Sequence, residues 1–363
     1  MKPRILPLLA TLIASAMSLP ALPVYFGNYA PAIQLADFDP ATGALSAARD
    51  AASVAGASFL AKSTDGRFLY AVGEGKPGGL FAFSIGADGL LTQLNTMPSE
   101  GGGPCDIALS PDGKLVATSN YGGGSVIAYR VRADGALGEK VAFFQHAHAS
   151  QAHPNRQKKP HAHGVTWSPD GKLLLVPDLG GDRVYSYSHD AATGTLEVNA
   201  AQPFIEMPAG SGPRHAIFSG DGRHFYVINE LSNTVAACAY DDARGVIELI
   251  ETFPTLPSDF KGQSTTAELA LSADGKTLYG SNRGHDSLAL FTRDPITGRL
   301  VPRGHVNTPV QPRHFALSPD GKWLLAAGQS GNRVEVFAVD PSTGDLTPTT
   351  HALDMEKPVC VRF

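Results

Sequence analysis

Three scarcities in this chain each close off a class of protein. Charged side chains make up only 17% of the 363 residues, the formal net charge is −5 and no long basic run occurs, so no nucleic-acid partner is expected. Cysteine occurs three times, at Cys105, Cys238 and Cys360, inside strand patterns and at no metal-like spacing. An odd count leaves at least one thiol free, and buried apolar cysteines are expected rather than a disulfide framework. Catalytic signatures are also missing: no Gly-x-Ser-x-Gly elbow, Walker motif or dinucleotide fingerprint stands in a fitting context. Tyr121-Gly-Gly-Gly124 is a turn between strands, because no helix follows it.

The one long apolar stretch, Ile5 to Met17, is too short to span a bilayer. Lys2 and Arg4 precede it, and small residues at Ala14-Ser-Ala16 and Pro20-Ala21 offer cleavage positions. Residues 1–21 are therefore expected to be a secretory signal peptide, and 22–363 the mature domain. A periplasmic or secreted protein without a membrane segment after cleavage follows.

Glycine (39) and proline (27) are plentiful, which suits a compact all-β chain with many tight turns. One glycine-bearing turn recurs seven times: Asp39-Pro-Ala-Thr-Gly43, Ala87-Asp-Gly89, Ala133-Asp-Gly135, Ala191-Ala-Thr-Gly194, Asp241-Asp-Ala-Arg-Gly245, Asp294-Pro-Ile-Thr-Gly298 and Asp340-Pro-Ser-Thr-Gly344. The glycine-to-glycine steps are 46, 46, 59, 51, 53 and 46 residues. A period of this length with several short strands per copy predicts propeller blades.

A second turn, Ser-x-Asp-Gly, occurs six times, beginning at Ser63, Ser110, Ser168, Ser219, Ser272 and Ser318. Asp-Gly between apolar runs is a hairpin signal. Residues 213–252 show the full unit: four strands joined by the Ser219 and Gly245 turns. The missing seventh Ser-x-Asp-Gly falls where the chain begins and ends. The prediction is an all-β, seven-bladed propeller of four-stranded antiparallel blades. Its ring is closed by the C-terminal strand, Pro358 to Phe363, joining three N-terminal strands. Closure removes the exposed edges of an open array.

In such a ring the start of each innermost strand and the end of the second strand share one rim. Aligned on the Ser-x-Asp-Gly serine, the first column reads Ser58/Phe59, Cys105/Asp106, His163/Gly164, Arg214/His215, Ala267/Glu268 and Arg313/His314. The second contains Asn28-Tyr29, Glu74, Asn120-Tyr121, Asp178, Asn229-Glu230, Asn282-Arg283 and Gln329. These columns vary from blade to blade and are rich in Arg, His and Glu, as a site for an anionic or carbonyl substrate requires.

Histidines 146, 148, 153, 161 and 163 crowd one stretch, but at the spacing of neither a helical pair nor a finger. No metal and no cofactor are expected. The polar loop ahead of blade 3, which accounts for the 59-residue step, is a candidate pocket wall.

Eight short stretches resemble one family in order. They are Pro160-His-Ala-His-Gly164, Pro177-Asp-Leu-Gly-Gly-Asp-Arg183, Gly212-Pro-Arg-His215, Asn229-Glu-Leu231, Asp259-Phe-Lys-Gly262, Ala267-Glu268, Ser281-Asn-Arg-Gly-His-Asp-Ser287 and Gln311-Pro-Arg-His314. The chain in this region is similar to the seven-bladed propeller lactonases, the family of 6-phosphogluconolactonase and fungal carboxymuconate cyclase. The resemblance implies cleavage or formation of a lactone ring without a metal. It also implies a catalytic set of a histidine (His163, preferred over His161), Arg214, Glu230 and Arg283.

Lactone hydrolysis needs a base for water and positive charge for the oxyanion. His163 or Glu230 can be the base, and Arg214 and Arg283 can hold the oxyanion or a substrate anion. His161, His215, Glu268, Arg313, His314 and Asp178 are expected to bind substrate. The partner is then a small-molecule lactone and the protein a monomer. The alternatives are a muconate-type cycloisomerase and a non-catalytic propeller that binds ligand or protein at the rim.

Overall fold

The computed structural model describes residues 20–75 and 78–363, so the proposed signal segment lies almost wholly outside the described residues. Twenty-nine strands and no helix are found among the described residues. They form seven antiparallel sheets, each of which runs outward from the ring axis. The innermost strands of neighbouring blades touch around the axis. Numbering blades from the first Ser-x-Asp-Gly turn, the innermost strands of blades 1 to 6 are Leu60–Lys62, Pro104–Leu109, Thr166–Trp167, Pro213–Phe218, Thr265–Leu271 and Pro312–Leu317.

Blade 7 is built from both ends of the chain. Pro358–Arg362 pairs with Leu22–Asn28, which pairs in turn with Ala32–Phe38 and then Arg49–Ser53. The pairing puts Arg362 opposite Tyr25 and Val361 opposite Phe26. The predicted closure is therefore the observed one. Blade 3 departs from the four-strand pattern, because its outermost strand is broken into Thr195–Val198 and Phe204–Glu206. Asn199 causes the break: its Oδ1 accepts from Ala201 N at 3.0 Å while its amide donates to Gly245 O of blade 4 at 2.9 Å.

The two repeated turns do different work. In Ser-x-Asp-Gly the serine hydroxyl donates to the aspartate Oδ1 at 2.5–2.7 Å in all six copies. It also accepts from the amide five residues on, as at Leu115 N and Leu173 N, both 2.9 Å, which fastens the hairpin to itself. The seven outer turns instead fasten one blade to the next. Their glycines all lie in the left-handed region, with φ between 66° and 83°.

Each outer turn presents a backbone carbonyl to a side chain of the preceding blade. Four blades use a buried tyrosine of the second strand: Tyr25 donates to Gly89 O (2.7 Å), Tyr70 to Gly135 O (3.0 Å), Tyr226 to Gly298 O (2.9 Å) and Tyr279 to Gly344 O (2.7 Å). Blades 2, 3 and 6 substitute Arg130 to Thr193 O (2.8 Å), Asn199 to Gly245 O (2.9 Å) and Trp323 to Pro40 O (3.0 Å). All seven blade junctions are latched in the same rotational sense. Between these latches and the axis, apolar side chains of adjacent blades pack into shared clusters, such as Tyr226, Ile228, Leu269 and Leu278 at the junction of blades 4 and 5. The three cysteines are buried and unpaired.

Candidate active site

One extra residue near the start of five of the seven innermost strands decides where the chemistry goes. Opposite Asn229 and Ile228 of the second strand stand Pro213 and His215, so Arg214 has no partner. Cys105 between Pro104 and Asp106, Arg313 between Pro312 and His314, and Val359 between Pro358 and Cys360 are left over in the same way. Blade 5 carries a comparable slip between Thr266 and Leu269. Such bulges re-aim side chains. Here the members of the pairs Cys105/Asp106 and Arg313/His314 part company. Cys105, His163 and Arg313 line a rim pocket of about 440 Å³. Phe59, Asp106, His215, Glu268 and His314 line a separate cavity of about 720 Å³, running toward the Ser-x-Asp-Gly rim.

Glu230, from the end of the second strand of blade 4, is the centre of the rim pocket. Its Oε2 accepts from Arg214 Nε at 3.1 Å and lies 2.9 Å from Arg283 Nη2, while its Oε1 accepts from Arg156 Nη2 at 2.7 Å. The imidazole of His163 faces the same carboxylate, with Nε2 at 3.8 Å from Oε2. On the opposite wall, Tyr29 donates to Glu74 at 3.3 Å and the Arg313 guanidinium lies over the Tyr29 ring, 5.8 Å from its centroid. Gln329 Oε1, at 3.5 Å, is the hydrogen-bond partner of Arg313.

The electrostatics separate the two basic candidates. Burial pushes the Glu230 carboxyl up, but Arg283, Arg214 and Arg156 outweigh it and hold the group at about 2. Glu230 is thus an anion with both oxygens engaged, which makes it a poor proton acceptor. Burial first, and Arg214 second, drive the His163 imidazole well below its ordinary pKa, so it is neutral with a lone pair to offer. Burial brings Arg283 down to about 10, which leaves it charged at neutral pH.

The remaining expected residues fall into three groups. Arg313 lines the pocket, whereas Arg214 is buried behind Glu230 and reaches the pocket only through that carboxylate. His215, Glu268 and His314 are not brought to the pocket, because the bulges turn them into the other cavity. Asp178 is fully buried and consumed by structure: its oxygens accept from His161 N (2.7 Å) and Gly181 N (2.9 Å) and pair with His146 Nδ1 (2.6 Å). Its expected contact with substrate is corrected accordingly. His161 stacks on Tyr121, centroids 4.3 Å apart, and its Nδ1 donates to Tyr121 O at 2.8 Å, so it packs against a pocket-lining residue without lining the pocket itself.

The crowded histidines disperse in the same way. His146 is buried between Asp178 and the Tyr187 hydroxyl, with both ring nitrogens occupied. Sequence reasoning missed Arg156. It lies in the polar loop ahead of blade 3, outside any repeat register, and only the loop's expected place at the pocket hinted at it. Gln157 anchors the loop through Leu179 O (2.8 Å) and Asp182 Oδ1 (2.6 Å), and this delivers Arg156 to Glu230 and to the Tyr121 hydroxyl (3.1 Å).

A closed seven-bladed ring with a basic, histidine-bearing rim pocket defines a class of propeller enzymes. The chain belongs to the lactonase family of seven-bladed β-propellers, whose family model matches residues 23–363. Among solved structures, the periplasmic gluconolactonase PpgL of Pseudomonas aeruginosa superposes with a TM-score of 0.88 at 34% identity, covering 94% of this chain and 99% of that one. A Lactobacillus plantarum protein superposes with a TM-score of 0.87 at 30% identity, over 94% and 99% of the two chains. The 6-phosphogluconolactonase of Bacillus subtilis is 31% identical over 290 residues, 78% of this chain and 81% of the relative.

Proposed function

We propose that this protein hydrolyses the lactone ring of a sugar acid at the rim pocket. The observation that carries the reading is the convergence of the buried His163, the Glu230 carboxylate and the guanidiniums of Arg156, Arg283 and Arg313 on one cavity. His163 takes a proton from water as the oxygen attacks the lactone carbonyl. The carbonyl oxygen gathers negative charge against Arg283 and Arg313. Glu230, held ionised, faces the imidazolium as it forms. Collapse breaks the ring C–O bond, and His163 returns the proton to the departing alkoxide. Collapse leaves a carboxylic acid, which gives its remaining proton to solvent, and the resulting carboxylate stays against the same guanidiniums until release. This sequence asks for no metal and no cofactor.

The substrate we favour is an unphosphorylated aldonolactone of the gluconolactone type. The signal-peptide pattern of residues 1–21 supports it, because phosphorylated intermediates belong to the cytoplasm, and the name of the Pseudomonas relative is in keeping with it. The test is a hydrolysis panel of glucono-lactone, its 6-phosphate and a muconolactone. Glucono-lactone is expected to turn over fastest, with His163→Ala lowering kcat/KM by roughly 10²–10⁴-fold. Preference for the phosphate or for muconolactone would move the assignment to the corresponding relative. Silence on all three, or wild-type rates in both His163→Ala and Glu230→Gln, would overturn it.

A further inference from the structure

Behind the rim pocket a chain of buried polar groups crosses the ring. Arg214 donates through Nη1 to Ala267 O at 2.6 Å and to His215 Nε2 at 3.2 Å. His215 Nδ1 lies 2.8 Å from Glu268 Oε2, and His314 Nε2 approaches the same oxygen at 3.4 Å. His314 is oriented in turn by Val361 N, which donates to its Nδ1 at 3.2 Å. The side chains of Arg214, His215, Glu268 and His314 are each less than 10% exposed, so solvent does not compete for these contacts.

The donor inventory fixes the protons. Arginine has only N–H groups to offer, so His215 must present a lone pair at Nε2. It therefore carries its proton on Nδ1 and donates it to Glu268. Were that tautomer lost, two N–H groups would confront each other inside the ring. Burial, with Arg214 as the next cause, brings His215 down to about 3, in keeping with a neutral imidazole. Arg214 meanwhile clamps the Glu230 oxygen that faces His163.

We infer that His215 and Glu268 are positioning residues: by fixing the His215 tautomer they hold Arg214 against Glu230, and so set the carboxylate that faces His163. The inference rests on the catalytic reading of His163 and Glu230 above. It also explains polar groups that line the opposite cavity and cannot meet a substrate at the rim. Phe59 packs edge-on against both His215 and His314, with centroids 5.3 and 5.2 Å away, which keeps the two imidazoles from rotating.

Three variants test it in the glucono-lactone assay. His215→Gln places an amide oxygen near the position of Nε2, so it still accepts from Arg214. His215→Phe keeps a flat ring against Phe59 and removes the acceptor, with His215→Leu as the substitute if that protein does not fold. The phenylalanine variant is expected to lose at least about tenfold in kcat with KM changed less than about threefold, and the glutamine variant to recover most of the loss. The acid limb of kcat/KM should also move to higher pH in His215→Phe, because Arg214 holds down both His163 and Glu230. Unchanged kcat in His215→Phe would overturn the inference. So would a rise in KM alone, which marks a substrate contact, or equal losses in Phe and Gln variants that track Tm. His163→Ala and Glu230→Gln, assayed alongside, separate the two failures: if both are unaffected too, the catalytic reading itself falls.

Discussion

His163 and Glu230 share a cavity, and each holds a proton less tightly than usual, for a different reason. A carboxylate gripped by three guanidiniums has little basicity left, while an imidazole stripped of water gives up its proton readily and so waits as a free base. A base with a lowered pKa is in its accepting form at every pH above that value. Activity is therefore expected to stay level from about pH 8 to about pH 6 and to fall only on further acidification, as a pH–rate profile would report. An acid limb centred near the ordinary histidine value would contradict this. Much of the residue-level site was legible in the sequence, because blade-specific departures from a repeat mark positions that architecture does not dictate. His163, Glu230, Arg283 and Arg313 were placed at the rim that way, and they share one pocket. Arg156 escaped because a loop without register has no column to stand in. Asp178 was misread because an acidic residue at a strand end looks the same in sequence whether it meets solvent or a buried histidine.

At the level of the strand and turn, the two glycine turns were predicted as punctuation, and one of them proves to be a fastening. Tyr279 illustrates its strength: fully buried, it gives its hydroxyl proton to Gly344 O at 2.7 Å. Tyr279→Phe keeps the ring and orphans that carbonyl, so a loss of about 1 kcal/mol is expected in a denaturant titration, with lactone hydrolysis unaffected. The innermost strand held a feature that no pattern revealed. Alternation of side chains assumes one residue per rung, and a bulge breaks the count without leaving any mark in hydrophobicity. That is why Arg214 and His215, adjacent in sequence, were assigned to one rim and are found serving two cavities.

For the molecule as a whole, the seam is where the ring closes. The hydrogen bonds between Pro358–Arg362 and Leu22–Asn28 and the packing of Val361 against the cluster of Phe26, Leu325 and Val334 close the circle, beside the Trp323–Pro40 latch. Removing residues 358–363 would bare the edge of the Leu22–Asn28 strand and leave blade 7 without its inner face. A clear drop in Tm and a tendency to aggregate are expected, and an unchanged melting curve would refute the closure as a stabilising element. The fold was readable from sequence for a simple physical reason: a ring of like units states its plan seven times, and the single missing turn marks the join.

The rotational sense of the latches carries a further consequence, for the copy number of the ring. Every blade donates a side chain to the blade after it and offers a carbonyl to the blade before it, as Tyr226 and Gly245 do for blade 4. Donor and carbonyl sit at different places in one unit, so a whole unit, inserted or removed in frame, leaves each donor facing a carbonyl. A fragment of a unit strands one of each. Growth or shrinkage of such a ring is thereby confined to integral steps, much as a chain of hooks and eyes can be lengthened only by complete links.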